Sequence, residues 1–157
     1  MKYAQLREFD TANGPGVRVS IFVSGCTLKC KGCFNPESWD FNAGEEFTEE
    51  TIARIIELLK RDYITGLSIL GGDPFEVQNI ESVTELCKAV KAAVPEKSIW
   101  LWTGRKYENY ADQPIMAYLD TVVDGPYVEK LKVKEQGKYF GSTNQRVIEI
   151  KPDFPFR

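Results

Sequence analysis

The sequence predicts an α/β fold, a partial (open) parallel β/α barrel of about five strands, with residues 1–157 forming a single domain. Short β-branched or aromatic runs alternate with longer stretches in which apolar residues recur at helical spacing. Strands that alternate with helices form parallel βαβ units. A closed eight-unit barrel takes about 250 residues, so a chain of 157 residues can build only part of one.

Five apolar runs are predicted to form the strands of this barrel. Each is rich in Val, Ile, Leu or aromatic residues and is short enough to be a buried strand. They lie at Val17–Val23, Leu67–Leu70, Ile99–Thr103, Leu119–Val123 and Val147–Ile150. In sheets of this kind, ligands bind at the carboxyl ends of the strands. A functional site is therefore expected in the loops after the first four strands.

Two segments between these strands have the periodicity of amphipathic helices. Thr48 opens the first, which has an acidic first turn, and Thr51 is expected to share the capping role. The apolar face of this helix consists of Ile52, Ile55, Ile56 and Leu59. The second helix ends at Pro95. Its apolar stripe consists of Ile80, Val83, Leu86, Cys87, Val90 and Val94.

The composition excludes several classes of function. The chain has no histidine, so a Ser-His-Asp triad, a Cys-His dyad and a histidine-ligated zinc site are all impossible. Its net charge is −3 and no basic block stands out, which argues against a nucleic-acid-binding face. No stretch approaches the roughly 18 apolar residues of a membrane span, and the N-terminus lacks the apolar core of a signal peptide. We therefore expect a cytoplasmic protein that binds neither nucleic acid nor membrane.

The strongest chemical signal lies in the loop after the first strand. Residues 25–33 are GCTLKCKGC, which places Cys26, Cys30 and Cys33 in a Cys-x3-Cys-x2-Cys array. Three soft thiolates at this spacing can surround a single compact metal centre. A disulfide is one alternative, but the odd number of cysteines in the loop and a cytosolic setting argue against it. A zinc site with Cys87 as the fourth ligand is a second alternative.

Cys87, however, falls on the apolar stripe of the second helix, between Leu86 and Val90. An unpaired cysteine in that setting is usually a small buried hydrophobe. An electron-carrier [4Fe–4S] cluster is usually held by four cysteines, so three ligands would leave one iron open for substrate chemistry. Lys29 and Lys31 would then either offset the negative charge of the cluster or form a solvated loop surface.

The Cys-x3-Cys-x2-Cys spacing resembles that of the radical S-adenosylmethionine enzymes. Further segments are similar to the glycyl-radical activating branch of that superfamily, and the later ones to the activators of anaerobic ribonucleotide reductase in particular. The similarity covers nearly the whole chain. The segments that carry it are Asn13–Arg18 (NGPGVR), Asn35–Asp40 (NPESWD), Gly71–Pro74 (GGDP), Trp102–Gly104 (WTG), Val123–Tyr127 (VDGPY) and Gly141–Arg146 (GSTNQR).

This resemblance implies one [4Fe–4S] cluster per chain, with Cys26, Cys30 and Cys33 as its metal ligands. It implies that S-adenosyl-L-methionine occupies the open iron and that the turn at Gly71 and Gly72 receives its amino group. No residue beyond those that bind the cluster and the cofactor is expected to be catalytic. The cofactor-binding residues implied are Gly32, Cys33, Phe34, Gly71, Gly72, Asp73 and Asp124.

Several of these assignments leave alternatives open. Asp73 would either attract the cationic part of the cofactor or cap the helix that follows. Asp124 would either face the cofactor or shape the Asp-Gly-Pro turn. Gly32 stands where many family members carry an aromatic residue, and the neighbouring Phe34 would take over packing near the adenine.

The activity implied by the resemblance is that of an oxidoreductase. Reductive cleavage of S-adenosylmethionine would give a 5′-deoxyadenosyl radical that removes a hydrogen atom from a glycine of the partner. The partners implied are the catalytic subunit of anaerobic ribonucleotide reductase and a low-potential reductant such as flavodoxin.

One rival function is a radical enzyme acting on another glycyl-radical enzyme or on a small molecule, as in the synthesis of a deazaguanine precursor. The other is a non-enzymatic electron-transfer module with Cys87 as the fourth ligand.

Overall fold

A computed structural model describes residues 1–33, 36–134 and 139–150, apart from the side chain of Glu37. Within these ranges the chain forms seven strands and two α-helices, and short 3₁₀ turns occur in the loops. The helices are α1 (Glu49–Leu59) and α2 (Ile80–Ala93). The strands are β1 (Lys2–Asp10), β2 (Val17–Val23), β3 (Glu45–Glu46), β4 (Ile64–Gly71), β5 (Ser98–Trp102), β6 (Thr121–Asp124) and β7 (Arg146–Glu149). None of the described helices combines the length and apolar character that crossing a bilayer requires.

All seven strands belong to one mixed sheet, in the order β3-β1-β2-β4-β5-β6-β7. The four central strands, β2, β4, β5 and β6, are parallel, as the alternation of strands and helices predicted. Strand pairing is antiparallel at both edges of the sheet. At one edge β1 pairs antiparallel with β2 and β3, and at the other β7 pairs antiparallel with β6. The α/β class is confirmed, and the sheet is larger and more mixed than the one expected.

The prediction of about five parallel strands was wrong in strand number and in the direction of the last strand. Most side chains of β1 are exposed or half-buried, and β3 has only two residues, so neither contains the apolar run used to find strands. A parallel return to the sheet needs a long crossover, usually an α-helix. The described residues between β6 and β7 contain no α-helix, only the 3₁₀ turn Glu129–Leu131 and an isolated bridge between Lys132 and Ser142, so β7 returns antiparallel to β6.

The two helices cover one face of the sheet and form the apolar core with it. The start of α1 is as predicted, with the Thr51 hydroxyl accepting a hydrogen bond from the N–H of Thr48 at 3.1 Å. The buried faces of α1 and α2 pack with alternate residues of β2 and β4. Cys87 is fully buried in this core, as its position on the apolar stripe predicted.

The opposite face of the sheet contains a buried arginine. Side chains alternate along a strand, so the residues of β2 that do not enter the core, beginning with Arg18, face the other side. The Arg18 guanidinium donates hydrogen bonds to Ser68 Oγ (2.8 Å) and to the main-chain oxygens of Leu67 (2.9 Å) and Ser98 (3.0 Å). Burial lowers the pKa of Arg18 to about 10, which leaves it charged at neutral pH.

The loop between β1 and β2 is attached to this same face. Asp10 accepts hydrogen bonds from the Ser20 hydroxyl (2.6 Å), the Asn13 amide (2.7 Å) and the N–H of Ala12 (2.9 Å). Burial alone would raise the pKa of Asp10, but these hydrogen bonds bring it below its ordinary value. The Ser68 hydroxyl donates to the main-chain oxygen of Asn13 at 2.6 Å, which joins the loop to β4.

We expect Arg18→Leu to lower the free energy of unfolding by about 3 kcal/mol, as is typical when a buried hydrogen-bond network is broken. The change removes the donors that serve the buried oxygens of Leu67 and Ser98. Urea unfolding of the apoprotein, followed by circular dichroism, measures the loss. Arg54→Leu is the matched control, because Arg54 is exposed and its ion pair with Glu8 lies at the surface, where a pair contributes roughly 0–1 kcal/mol. Equal losses for the two variants would contradict the role given to Arg18.

Candidate functional site

A cavity of about 620 Å³ opens at the carboxyl ends of the parallel strands, on the face opposite the helices. Each of the four parallel strands is followed by residues that line it, including Cys26 after β2, Gly72 after β4, Thr103 after β5 and Gly125 after β6. This is the place in the sheet where the sequence predicted a site. Much of the remaining wall is apolar, with side chains that include Phe22, Leu28, Leu70, Trp102 and Val133.

Three cysteines of the loop after β2 line this cavity together. All three are free thiols; Cys26 is buried, while Cys30 and Cys33 are partly exposed. Burial raises the pKa of the Cys26 thiol, so a thiolate at this position needs a metal or another positive charge to stabilise it. The N–H of Cys26 donates to the main-chain oxygen of Trp39 at 3.2 Å, which fixes the start of the loop.

The three cysteines that share the cavity are soft ligands of the kind that bind iron–sulfur clusters. Cys87 is fully buried in the core on the helix side of the sheet. The structure therefore argues against both alternatives that used Cys87 as a fourth ligand.

Gly71 and Gly72, which the sequence predicted to bind the cofactor, line the cavity. Gly71 has a φ of 115°, a conformation that residues with a side chain rarely adopt. A Cβ atom on Gly72 would lie only 2.5 Å from the main-chain oxygen of Gly25, at the start of the cysteine loop. Two hydrogen bonds join these segments, from Gly72 N–H to Val23 O (2.7 Å) and from Asp73 N–H to Gly25 O (2.8 Å). Gly72 is thus needed for packing against the cysteine loop, which the sequence did not reveal.

Asp73 is fully buried, and the chain itself supplies donors to its carboxylate. The N–H groups of Phe75 and Gly104 each donate at 2.9 Å, the Thr103 hydroxyl donates at 2.8 Å, and Arg105 Nη1 lies 3.0 Å from Oδ2. Burial raises the pKa of Asp73, and these contacts oppose the rise. The capping alternative was wrong, because α2 begins several residues later, after Asn79. Asp73 instead joins the loop after β4 to the loop after β5.

Arg105 and Glu76 extend this network to the cysteine loop. Arg105 Nη2 donates to Glu76 Oε2 at 2.9 Å and to the Thr27 hydroxyl at 3.2 Å. The same oxygen of Glu76 accepts hydrogen bonds from the N–H (2.7 Å) and the hydroxyl (2.9 Å) of Thr27. Burial alone would raise the pKa of Glu76, but Thr27 and Arg105 bring it below its ordinary value. The sequence did not indicate a role for Arg105, Glu76 or Thr27. The one signal it offered is that each lies within or next to the cysteine loop or a segment that carries the family resemblance.

Asp124 is also bound by the chain's own donors. Its buried carboxylate accepts hydrogen bonds from Arg146 at 2.6 Å and 3.0 Å and from the N–H of Tyr107 at 2.7 Å. Among the described residues it is the neighbouring Gly125 that lines the cavity. The structure therefore places the main chain after Asp124, rather than its carboxylate, at the predicted site.

Gly32 lies beside the turn that follows β6. A Cβ atom on Gly32, whose φ is 77°, would lie 2.6 Å from the carboxylate of Glu129. Glycine suits this position because residues with a side chain rarely adopt that backbone conformation. Phe34, which the sequence placed near the adenine, lies outside the described residues.

Comparison with known proteins agrees with this arrangement. The family model described as a 4Fe-4S single cluster domain matches residues 12–148. The anaerobic ribonucleoside-triphosphate reductase-activating protein of Enterobacteria phage T4 is 42% identical over 94% of this chain and 93% of its own length. Proteins of the same name from Vibrio cholerae and Escherichia coli K12 are 40% and 37% identical, over 92% and 96% of this chain and 96% and 100% of their own lengths. The chain belongs to this family of activating proteins.

Membership of the activating-protein family confirms the resemblance stated from the sequence. The family model begins in the loop between β1 and β2 and ends in β7, so it includes the cysteine loop and all four parallel strands. Its description supports an iron–sulfur cluster as the cofactor. The identity of the cluster ligands and the roles of individual residues at S-adenosylmethionine stay predictions.

We expect Gly72→Ala to lower iron and sulfide incorporation as well as S-adenosylmethionine binding. The new Cβ would meet the main chain of Gly25, so the cysteine loop would have to move. Iron and sulfide content after anaerobic reconstitution, together with calorimetric binding of S-adenosylmethionine, measures both effects. Glu85→Ala, on the exposed side of α2, is the control for handling and folding. A full iron content in Gly72→Ala would show that the loop does not depend on this contact.

Proposed function

We propose that this chain activates anaerobic ribonucleoside-triphosphate reductase by forming a glycyl radical on the catalytic subunit of that enzyme. The observation that carries the proposal is that three free cysteines and a glycine turn line one cavity at the strand ends. The relatives from phage T4, Vibrio cholerae and Escherichia coli are named for activating this reductase. The proposed activity is therefore that of an oxidoreductase whose substrate is another protein.

In this proposal Cys26, Cys30 and Cys33 hold one [4Fe–4S] cluster, and the iron without a cysteine takes S-adenosyl-L-methionine. When bound, these groups supply a one-electron cleavage that yields a 5′-deoxyadenosyl radical. The chain must position them and keep water away from the reactive carbon. The buried Phe22 side chain and its neighbour Leu70 give the cavity an apolar wall suited to that purpose.

The main chain at Gly71 and Gly72 is proposed to lie against the cofactor, since both residues line the cavity beside the cysteine loop. Asp73 acts through its neighbours, because its oxygens already accept hydrogen bonds from the loops after β4 and β5. Asp124 acts in the same way, by fixing the turn that brings Gly125 to the cavity. Gly32 and Phe34 remain proposed contacts of the adenine.

The proposal includes a sheet that curls into a partial, open barrel. Arg7 on β1 and Gln145 just before β7 both line the cavity, although their strands lie near opposite ends of the sheet order. Distant strands border a common cavity when the sheet between them is curved. An open side suits the proposed substrate, because the target glycine belongs to the backbone of another protein and has to enter the site.

A low-potential reductant such as flavodoxin and a cytoplasmic setting complete the proposal. Cys30 and Cys33 are partly exposed, so an electron can reach a cluster held there from the solvent side. Lys29 and Lys31 are exposed on the same loop. Their charges would offset that of a cluster with three thiolates and would favour an acidic electron donor.

Replacement of Cys26, Cys30 or Cys33 by Ala should abolish a stable [4Fe–4S] centre, because two thiolates do not hold such a cluster against solvent. Cys87→Ala is the matched control, and it should keep its iron and sulfide while losing about 1 kcal/mol of folding stability through the cavity left in the core. Each variant is checked by iron and sulfide analysis and by the visible absorbance of the cluster. Loss of the cluster in Cys87→Ala alone would restore the four-cysteine alternative.

The function is tested by mixing the reduced, reconstituted protein with S-adenosylmethionine and the reductase catalytic subunit under strictly anaerobic conditions. We expect a glycyl radical signal in electron paramagnetic resonance, with 5′-deoxyadenosine formed alongside it. A reductase variant with Ala at the target glycine should give no such signal. Formation of 5′-deoxyadenosine without any radical on the reductase would favour another glycyl-radical enzyme or a small molecule as the substrate.

A further inference from the structure

Arg7 lies on the β1 side of the cavity, away from the cysteine loop. Its main chain pairs with Ser20, in the middle of β2, whereas the cysteine loop begins beyond Val23. Its side chain is exposed and lines the cavity. The guanidinium carbon lies 4.7 Å from the centroid of the Phe22 ring, which also lines the cavity. A cation over an aromatic face is attracted to it, so Phe22 holds the guanidinium at the cavity wall.

Within the part of the chain that the structure describes, the Arg7 guanidinium makes neither an ion pair nor a hydrogen bond. Asp10 is the carboxylate whose pKa Arg7 helps to lower. Its oxygens, however, already accept hydrogen bonds from Ala12, Asn13 and Ser20. The N–H donors of Arg7 are therefore available to a group that enters the cavity.

Arg7 also determines the charge of this side of the cavity. Among the described residues that line the cavity, the acidic and basic ones are Asp73 and Arg7. Asp73 is paired with Arg105 and saturated by main-chain donors. The side of the cavity away from the cysteines thus presents a cation with a planar, forked set of donors, which suits carbonyl or carboxylate oxygens.

The position of Arg7 indicates which group it meets. The proposed cofactors occupy the end of the cavity formed by the cysteine loop and the turn at Gly71 and Gly72. The side formed by β1 is therefore left for the molecule that gives up the hydrogen atom. In the proposed function that molecule is a polypeptide, whose main chain is rich in carbonyl oxygens.

We propose that Arg7 positions the reductase segment that carries the target glycine, by donating hydrogen bonds to oxygen atoms of that polypeptide. The inference rests on the proposed function. The contact with Phe22 restricts the arginine before the partner arrives, which reduces the entropy lost on binding. Arg7 is thus a positioning residue for the protein substrate and takes no part in the radical step.

The test compares Arg7→Gln and Arg7→Lys with the wild-type protein, each reconstituted with its cluster. Initial rates of glycyl radical formation are measured against the concentration of the reductase catalytic subunit. Arg7→Gln should raise KM for the subunit about tenfold or more, as expected for loss of a charge-assisted hydrogen bond, with a much smaller change in kcat. Arg7→Lys should recover part of the affinity, because it keeps the charge and loses the fork. Arg54→Gln, at an exposed position of α1, is the matched control and should keep the wild-type KM.

Two further measurements separate positioning from a structural effect. Cleavage of S-adenosylmethionine in the absence of the reductase should proceed at the wild-type rate in Arg7→Gln, because the cofactor does not contact Arg7 in this proposal. Thermal unfolding should give similar midpoints for both. A wild-type KM in Arg7→Gln would overturn the inference while leaving the proposed function intact. The inference would also be overturned if Arg7→Gln lowered S-adenosylmethionine cleavage without the reductase as much as it lowered glycyl radical formation, since Arg7 would then act on the cofactor. Absence of a glycyl radical with the wild-type protein would overturn the proposed function itself.

Discussion

The close approach of the main chain at Gly72 to Gly25 is the constraint on which the site depends. It brings the loop after β4 against the start of the cysteine loop, and two main-chain hydrogen bonds close the contact. The residues that follow then reach in two directions. The carboxylate of Asp73 binds the loop after β5, and Glu76 binds Thr27 in the cysteine loop. A single short segment after β4 thus holds the other loops of the cavity in place.

The buried carboxylates around the cavity are all bound by donors of the chain itself. Asp10, Asp73, Glu76 and Asp124 each accept at least three hydrogen bonds or ion-pair contacts from described residues. A buried charge without such partners would be costly. The consequence for function is that these carboxylates organise loops, and their oxygen atoms are already occupied by donors of the chain. The electrostatic character of the cavity then depends on the cysteines at one end and on Arg7 at the other.

The two faces of the sheet have separate tasks. The helix side contains the apolar core, including Cys87, and supplies most of the hydrophobic stabilisation. The other side is anchored by Arg18, whose donors serve main-chain oxygens of neighbouring strands at the end of the sheet away from the cysteines. Apolar burial on one face and a hydrogen-bond network on the other keep the strands in register. The carboxyl ends of the strands are then available for the loops that form the cavity.

The sequence by itself determined the four parallel strands, both helices, the strand ends at which the cavity opens and the cysteine array, because apolar periodicity and cysteine spacing are local properties of a chain. It did not determine β1 and β3, whose polar residues form strands only through pairing with neighbours. Nor did it reveal Arg105 and Glu76, because the partners of these side chains come from loops far apart in sequence. For Asp73 the sequence left two roles open, and the structure gives it a third, as a link between loops. Only the tertiary structure decides such contacts, since a hydrogen bond between distant segments depends on how the whole sheet brings its strand ends together.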